Sequence, residues 1–170
     1  GGADYVRFED PGRSQAERIN GKLGAVLRPA AGTTLRAAVF QGVSGSRYDA
    51  ETLAPTQFAG FNQVFDDISG TRWRRAAVAV EQRQSNQLNG GLEASWRWLD
   101  APMVDSGTSS GYHLETWKES LHRAHLAFPF GHHAMLSAEW RHENIRYEGG
   151  NNLVRDTPWK VNTDLLPLRL

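Results

Sequence analysis

The sequence predicts an all-β protein, an antiparallel up-and-down transmembrane β-barrel of which this chain supplies part. Three observations lead to this fold. Apolar and polar residues alternate along several segments, and short and long connections alternate between those segments. No window approaches the ~18 consecutive apolar residues of a membrane-spanning helix. Barrel strands alternate in this way, so a mean hydropathy as low as −0.54 is compatible with a membrane barrel.

The segment from Leu88 to Trp98 shows the alternation most clearly. Leu92 and Trp96 fall on one face of an extended chain, whereas Glu93 and Arg97 fall on the other. On a helix the same residues would mix around the cylinder. The pattern predicts a single β-barrel domain or fragment, 1–170, with strands near residues 19–28, 34–43, 73–83, 88–99, 113–128, 134–147 and 161–170.

The polar positions of these strands carry both charge signs. In a membrane barrel the apolar face contacts lipid and the polar face lines the interior. We therefore expect the following side chains to face the lumen: Arg36, Arg75, Glu81, Arg83, Glu93, Arg97, Arg123, Glu139, Arg141 and Glu143. Arginine outnumbers glutamate in this set, which predicts a preference for anions if the barrel conducts ions.

The connections between strands are sorted by length. Residues 29–33, 84–87 and 129–133 form short turns, whereas residues 42–72, 100–111 and 148–160 form long connections rich in Gly, Asn, Asp and Ser. Outer-membrane barrels have short turns on the periplasmic side and longer loops outside. A soluble sandwich has no reason to sort its loops in this way.

The connection from residue 42 to residue 72 is long enough to suggest a function or disorder. It carries Phe58, Phe61 and Phe65, followed by Asp66 and Asp67. Disordered segments contain few aromatic residues, so we expect this one to be ordered at the barrel mouth. It either packs over or into the mouth or forms a plain extracellular hairpin.

Aromatic residues lie near the ends of the predicted strands. Trp96 and Trp98 precede a long connection, and Phe128 precedes a short turn, as in the aromatic girdles of membrane barrels. The alternative is a soluble β-barrel or sandwich that binds a small apolar ligand in its interior. Small residues on the apolar face, such as Ala76 and Ala94, would pack that core poorly, whereas lipid tails tolerate them.

Residues 52–67, which include Pro55-Thr56-Gln57 and end in Asp66-Asp67, resemble a segment of a bacterial family. Its members carry periplasmic tetratricopeptide repeats ahead of a C-terminal outer-membrane β-barrel. The similarity spans about residues 33–143. It implies a barrel in the outer membrane of Gram-negative bacteria, a channel or pore segment for polysaccharide or polymer export, and a periplasmic tetratricopeptide-repeat domain as a partner.

Two departures from this family shape the expectation. The chain shows no tetratricopeptide pattern, and it stops within an apparent strand at Leu170. Bacterial single-chain barrels have an even number of strands, from eight upward. We therefore expect outer-membrane lipid around the chain and further barrel strands from other residues or other chains.

Other functional classes find little support in the composition. Lys+Arg and Asp+Glu are both 19, so the basic excess of a nucleic-acid-binding protein is missing, and the chain has no cysteine. His122 and His125 would point to opposite faces of a strand, and Ser120 lies in no nucleophile-elbow pattern. The sequence predicts no enzyme, no metal site and no cofactor.

Overall fold

The computed structural model describes residues 1–10, 14–44, 57–62, 67–84, 88–104, 112–130, 134–150 and 159–169. This described part of the chain is all-β and contains no helix. Within it, no helix has the length and apolarity needed to cross a membrane. The strands are β1 (Gly2–Asp10), β2 (Ser14–Ala30), β3 (Thr33–Val43), β4 (Gln57–Phe58), β5 (Phe61–Asn62), β6 (Arg72–Gln84), β7 (Leu88–Val104), β8 (Tyr112–Phe130), β9 (Ala134–Gly150), β10 (Trp159–Leu165) and β11 (Leu168–Arg169).

The strands form one antiparallel meander in the order β1-β2-β3-β6-β7-β8-β9-β10. The short strand β11 continues the edge beside β9, and β4 pairs only with β5 in a separate hairpin. Within the described ranges β1 and β10 each pair on one side, so the sheet is open and does not close into a barrel. The sequence-based expectation of an antiparallel up-and-down sheet is confirmed at this level.

One strand was not expected from the sequence. β1 pairs with β2 from Gly2 opposite Lys22 to Asp10 opposite Ser14. Its residues show no clean apolar face, so the alternation that identifies the other strands is weak there. The ladder with β2 supplies the hydrogen bonds that hold it extended.

In the middle of β3 to β9, the register places apolar side chains on one face and mostly charged ones on the other. Leu35, Val80, Leu92, Ala124 and Trp140 lie opposite one another along one row from β3 to β9. We call the side carrying this row the apolar face. The adjacent row, on the other side, is Arg36, Ala79, Glu93, Arg123 and Arg141. We call that side the charged face.

The buried core lies on the charged face, towards the long-connection end of the strands. Its buried members are Ala38, Phe40, Phe61, Trp73, Ala77, Ala79 and Leu99. Phe40 meets Trp73 edge-on, with ring centroids 5.7 Å apart. A Cβ at Gly42 would lie only 2.5 Å from the Trp73 ring, so the glycine is what lets this indole lie flat against β3.

Candidate functional site: the charged face and its covering hairpin

The β4–β5 hairpin turns through two residues of positive φ, Ala59 at 50° and Gly60 at 82°. Positive φ at both central positions is the signature of a type I′ turn, whose twist matches that of the flanking strands. Glycine suits the second position because it has no Cβ. A Cβ at Gly60 would lie 1.8 Å from Nη1 of Arg36. The turn therefore approaches the sheet as closely as its backbone allows.

This hairpin packs onto the charged face. Phe61 is completely buried, and the guanidinium of Arg36 lies 5.1 Å from the centre of its ring. The same guanidinium donates a hydrogen bond of 2.8 Å to the carbonyl oxygen of Gly60. Phe58 meets Phe40 edge-on at 5.7 Å. The hairpin is thus held by a cation–π contact, a hydrogen bond and aromatic packing together.

Arg75 is buried at the centre of the charged face. Its Nη1 donates to the carbonyl oxygen of Asn62 in the hairpin at 2.8 Å. Its Nη2 donates to Oγ of Ser95 at 2.9 Å and to Oε1 of Glu93 at 3.3 Å. These contacts replace the water that burial removes, which a buried cation requires.

Arg97 is the second buried arginine and lies directly opposite Arg75 in the register. It forms ion pairs with Asp67 and, at 3.0 Å, with Glu119. Its guanidinium also lies 5.9 Å from the ring of Trp73. Two like charges side by side would repel each other, so the carboxylates that flank them are needed to hold both in place.

The remaining candidates lie on the same face but are more exposed. Arg36 pairs with Glu81 at 2.6 Å, Arg123 approaches Glu93 at 4.0 Å, and Arg141 pairs with Glu143. Glu139 is half-buried opposite His125, and Arg83 is exposed near the short turn, where its backbone N–H donates to the carbonyl oxygen of Gly32. Arg36 and Arg75 contact the hairpin, and Glu81 and Glu93 pair with them. Arg97 lies opposite Arg75, Arg123 approaches Glu93, and Arg83 lies at one end of the face.

A cavity of about 230 Å³ lies on this face beside the buried arginines. Arg75, Arg97 and Arg141 supply positive charge to its wall, and Glu119 and Glu143 supply negative charge. A wall of mixed sign with fixed donors and acceptors can hold water and polar solutes. Leu121 and Ile145 add apolar surface to the same wall.

Sequence reasoning missed Glu119 and gave Asp67 only a position in the loop. Glu119 has the same parity in β8 as Arg123, so extending the alternation towards residue 112 would have found it. Its pairing with Arg97 depends on strand register, which the sequence does not show. With Glu119 and Asp67 added, carboxylates equal arginines in the candidate set, so the arginine excess behind the expected anion preference disappears. Phe65 and Asp66 lie outside the described residues.

The apolar face becomes polar at its β9–β10 edge. Nδ1 of His142 lies 2.8 Å from the Asp164 carboxylate, and Asn144 donates to Asn162, all on the side that is apolar elsewhere. Alternation in β10 therefore runs opposite to that of the other strands. The strand expected near residues 161–170 therefore carries polar residues on the side that is apolar elsewhere.

No protein family, no curated protein and no solved structure matches the chain. The two faces of the sheet, and the hairpin that covers one of them, are therefore the features that indicate a function.

Proposed function

We propose that this chain forms part of a transmembrane β-barrel in the outer membrane of a Gram-negative bacterium. In this proposal the apolar face contacts lipid, the charged face lines the interior, and the barrel is a channel or a segment of a polymer-export pore. The β4–β5 hairpin narrows that interior. The charged side chains of the cavity wall favour a pathway for polar solutes, such as polysaccharide, over an apolar ligand site.

The observation that carries the proposal is the inverted distribution of side chains. Leu23 is 72% exposed and Leu92 is 60% exposed, whereas Arg75 and Arg97 are 4% and 6% exposed. A soluble protein does the reverse, because burying charge is costly and burying leucine is favourable. Contiguous exposed apolar surface of this kind marks a membrane or interaction surface.

The dimensions of the apolar face also suit a bilayer. From Leu88 to Trp98, β7 runs through about the 9–11 residues that a tilted transmembrane strand needs. Trp96 and Trp98 lie at the long-connection end of this stretch, and Phe128, on the neighbouring strand β8, lies level with its short-turn end. All three are partly exposed. Tryptophan and other aromatics prefer the two interfaces of a membrane.

Both edges of the sheet need partners under this proposal. Backbone N–H and C=O groups without partners are too costly in hydrocarbon for an open edge to face lipid. We infer that β1 and β10 are joined by further strands, from the same polypeptide or from other chains. A periplasmic tetratricopeptide-repeat domain is a further proposed partner, which rests on the resemblance of residues 33–143 alone.

Spin labels at adjacent positions test which face meets lipid. Because the chain has no cysteine, Leu92→Cys and Glu93→Cys can be labelled one at a time in protein reconstituted into vesicles. Collision with oxygen, which is concentrated in lipid, is expected to dominate at position 92, and collision with a water-soluble nickel complex at position 93. Val78→Cys and Glu81→Cys form a second pair on opposite faces of β6, and the Glu81 side chain is 44% exposed. Water-exposed labels at 78 and 92 would contradict the proposal.

A further inference from the structure

A row of basic residues crosses the apolar face at the long-connection end of its strands. Arg74, Trp98, Lys118, Arg146 and Lys160 lie opposite one another on β6, β7, β8, β9 and β10. Four of the five strands thus present a cation at the same level. We call these four residues, Arg74, Lys118, Arg146 and Lys160, the basic row.

The charges of the basic row are accessible. All four residues are exposed, with 46% of the Lys118 side chain and 61% of the Arg146 side chain accessible to solvent. Glu148 lies beside the row and contacts Nζ of Lys118 at 2.8 Å and Nε of Arg146 at 3.9 Å. One carboxylate between two cations leaves the row with an excess of positive charge.

The opposite end of the same face carries no such row. There the corresponding positions on β6 to β9 are Gln82, Gln84, Leu88, Leu126, Phe128 and Leu136, none of which is charged. The next row inward from the basic one is apolar on β3, β6 and β7, where it contains Val39, Ala76 and Trp96. On β8, β9 and β10 it contains the uncharged polar residues Ser120, Asn144 and Asn162. The row therefore borders apolar residues on β6 and β7 and uncharged polar residues on β8 to β10. Its cations lie at one end of the face and not at the other.

We infer that the basic row binds the phosphate groups of anionic lipid headgroups at the loop-side boundary of the membrane. This inference rests on the proposed membrane location. Lys and Arg donate charge-assisted hydrogen bonds to phosphate, and clusters of them next to a hydrophobic span attract anionic lipids. The indole of Trp98 lies within the row, at the level where amphipathic rings meet headgroups. An anionic headgroup gives the four cations a partner of net negative charge. Hydrocarbon supplies none, and the phosphate of a zwitterionic headgroup is compensated by its own ammonium group.

Lipid selectivity can be measured at the protein boundary with spin-labelled lipids. The full chain is reconstituted into phosphatidylcholine vesicles that contain a trace of spin-labelled phosphatidylcholine or spin-labelled phosphatidylglycerol. The motionally restricted component of each spectrum gives the relative association constant of that lipid. We compare the wild type with a variant that carries R74Q, K118Q, R146Q and K160Q. A matched variant with R74K, K118R, R146K and K160R keeps the charge at the same four positions.

The wild type and the charge-keeping variant are expected to favour phosphatidylglycerol by about threefold or more at low ionic strength. The preference should fall towards one in the glutamine variant, and also at 1 M salt, where the Debye length is about 3 Å. A restricted component without anionic preference, or a preference that survives the glutamine changes, would overturn the inference and leave the membrane proposal intact. No restricted component with either lipid would overturn both.

Discussion

Adjacent residues of one strand meet opposite surroundings. Leu92 is 60% exposed on the apolar face, and the side chain of Glu93, the next residue, is 13% exposed on the charged face. The difference follows from the pleat of the strand, which turns successive side chains to opposite faces. If the apolar face meets lipid, a charge placed there must cost more near the middle of the band than near its end.

We therefore expect Leu92→Arg to lower the free energy of unfolding from vesicles by about 2–4 kcal/mol, because this position lies near the centre of the proposed bilayer. Leu88→Arg, on the same strand and face but at the boundary, should cost about 0–1 kcal/mol. Equal and small costs at both positions would indicate that the apolar face contacts water. Denaturant titration of the two variants in parallel measures the difference.

Burial also separates two arginine–carboxylate pairs of the charged face. The side chains of Arg97 and Asp67 are 7% and 10% exposed, whereas those of Arg141 and Glu143 are 44% and 32% exposed. Arg97→Met would leave buried carboxylates without their cation, and we expect a loss of stability of about 3–5 kcal/mol. Arg141→Met should cost at most about 1 kcal/mol. The free energies of unfolding provide the comparison, and similar losses for both would contradict the burial argument.

At the scale of elements, the position of the β4–β5 hairpin depends on a close contact between its turn and Arg36. Gly60 brings its carbonyl oxygen to 2.8 Å from Nη1 of Arg36, and a side chain there would occupy the space of the guanidinium. Gly60→Val should displace the hairpin, whereas Ala59→Gly should keep it, because glycine accepts the positive φ of that position without strain.

Amide hydrogen exchange over residues 57–62 reports on the hairpin directly. Protection is expected to fall at least about tenfold in the Gly60→Val variant, because a loss of about 1.4 kcal/mol of docking energy corresponds to that factor. The Ala59→Gly variant should keep the protection of the wild type. Unchanged protection in both would mean that the contact with Arg36 does not hold the hairpin in place.

The strands that the sequence predicted best are those with the cleanest alternation. The apolar face alternates regularly at 76–80 in β6, 88–98 in β7, 124–128 in β8 and 134–140 in β9, so both the existence and the faces of these strands could be predicted. β1 has no such pattern and depends on its ladder with β2. β10 has an alternation of opposite sense, with Val161 on the charged face and Asn162 on the apolar face, which no single-strand pattern could assign.

The site divides in the same way. The face of each charged residue follows from parity, which the sequence contains. The partners of each charged residue depend on strand register and on the return of the hairpin to the sheet, and the sequence contains neither. Arg75 donates to Ser95, and Arg97 donates to Glu119, in both cases across neighbouring strands. Asp67 pairs with Arg97 from the far end of a long connection. Contacts of this kind depend on the folded arrangement of several segments.

At the scale of the whole molecule, the balance of charge on the charged face decides whether a pore would favour anions or cations. The chain is neutral overall, and the candidate arginines of the charged face are equalled in number by the candidate carboxylates once Glu119 and Asp67 are included. Fixed charge on a narrow wall sets the local concentration of counter-ions. A wall in which the signs cancel should discriminate weakly between anions and cations, in contrast to the anion preference expected from the sequence.

Removing one charge at a time should then tilt this balance in a direction fixed by its sign. We expect Glu119→Gln, which uncovers the charge of Arg97, to move the reversal potential of a planar bilayer under a salt gradient towards anion selectivity. Arg141→Gln, on the wall of the same cavity, should move it towards cation selectivity. Both shifts should shrink at 1 M salt, where the Debye length is about 3 Å. Shifts of the same sign in the two variants, or shifts that do not depend on salt, would show that the charged face does not line the conducting path.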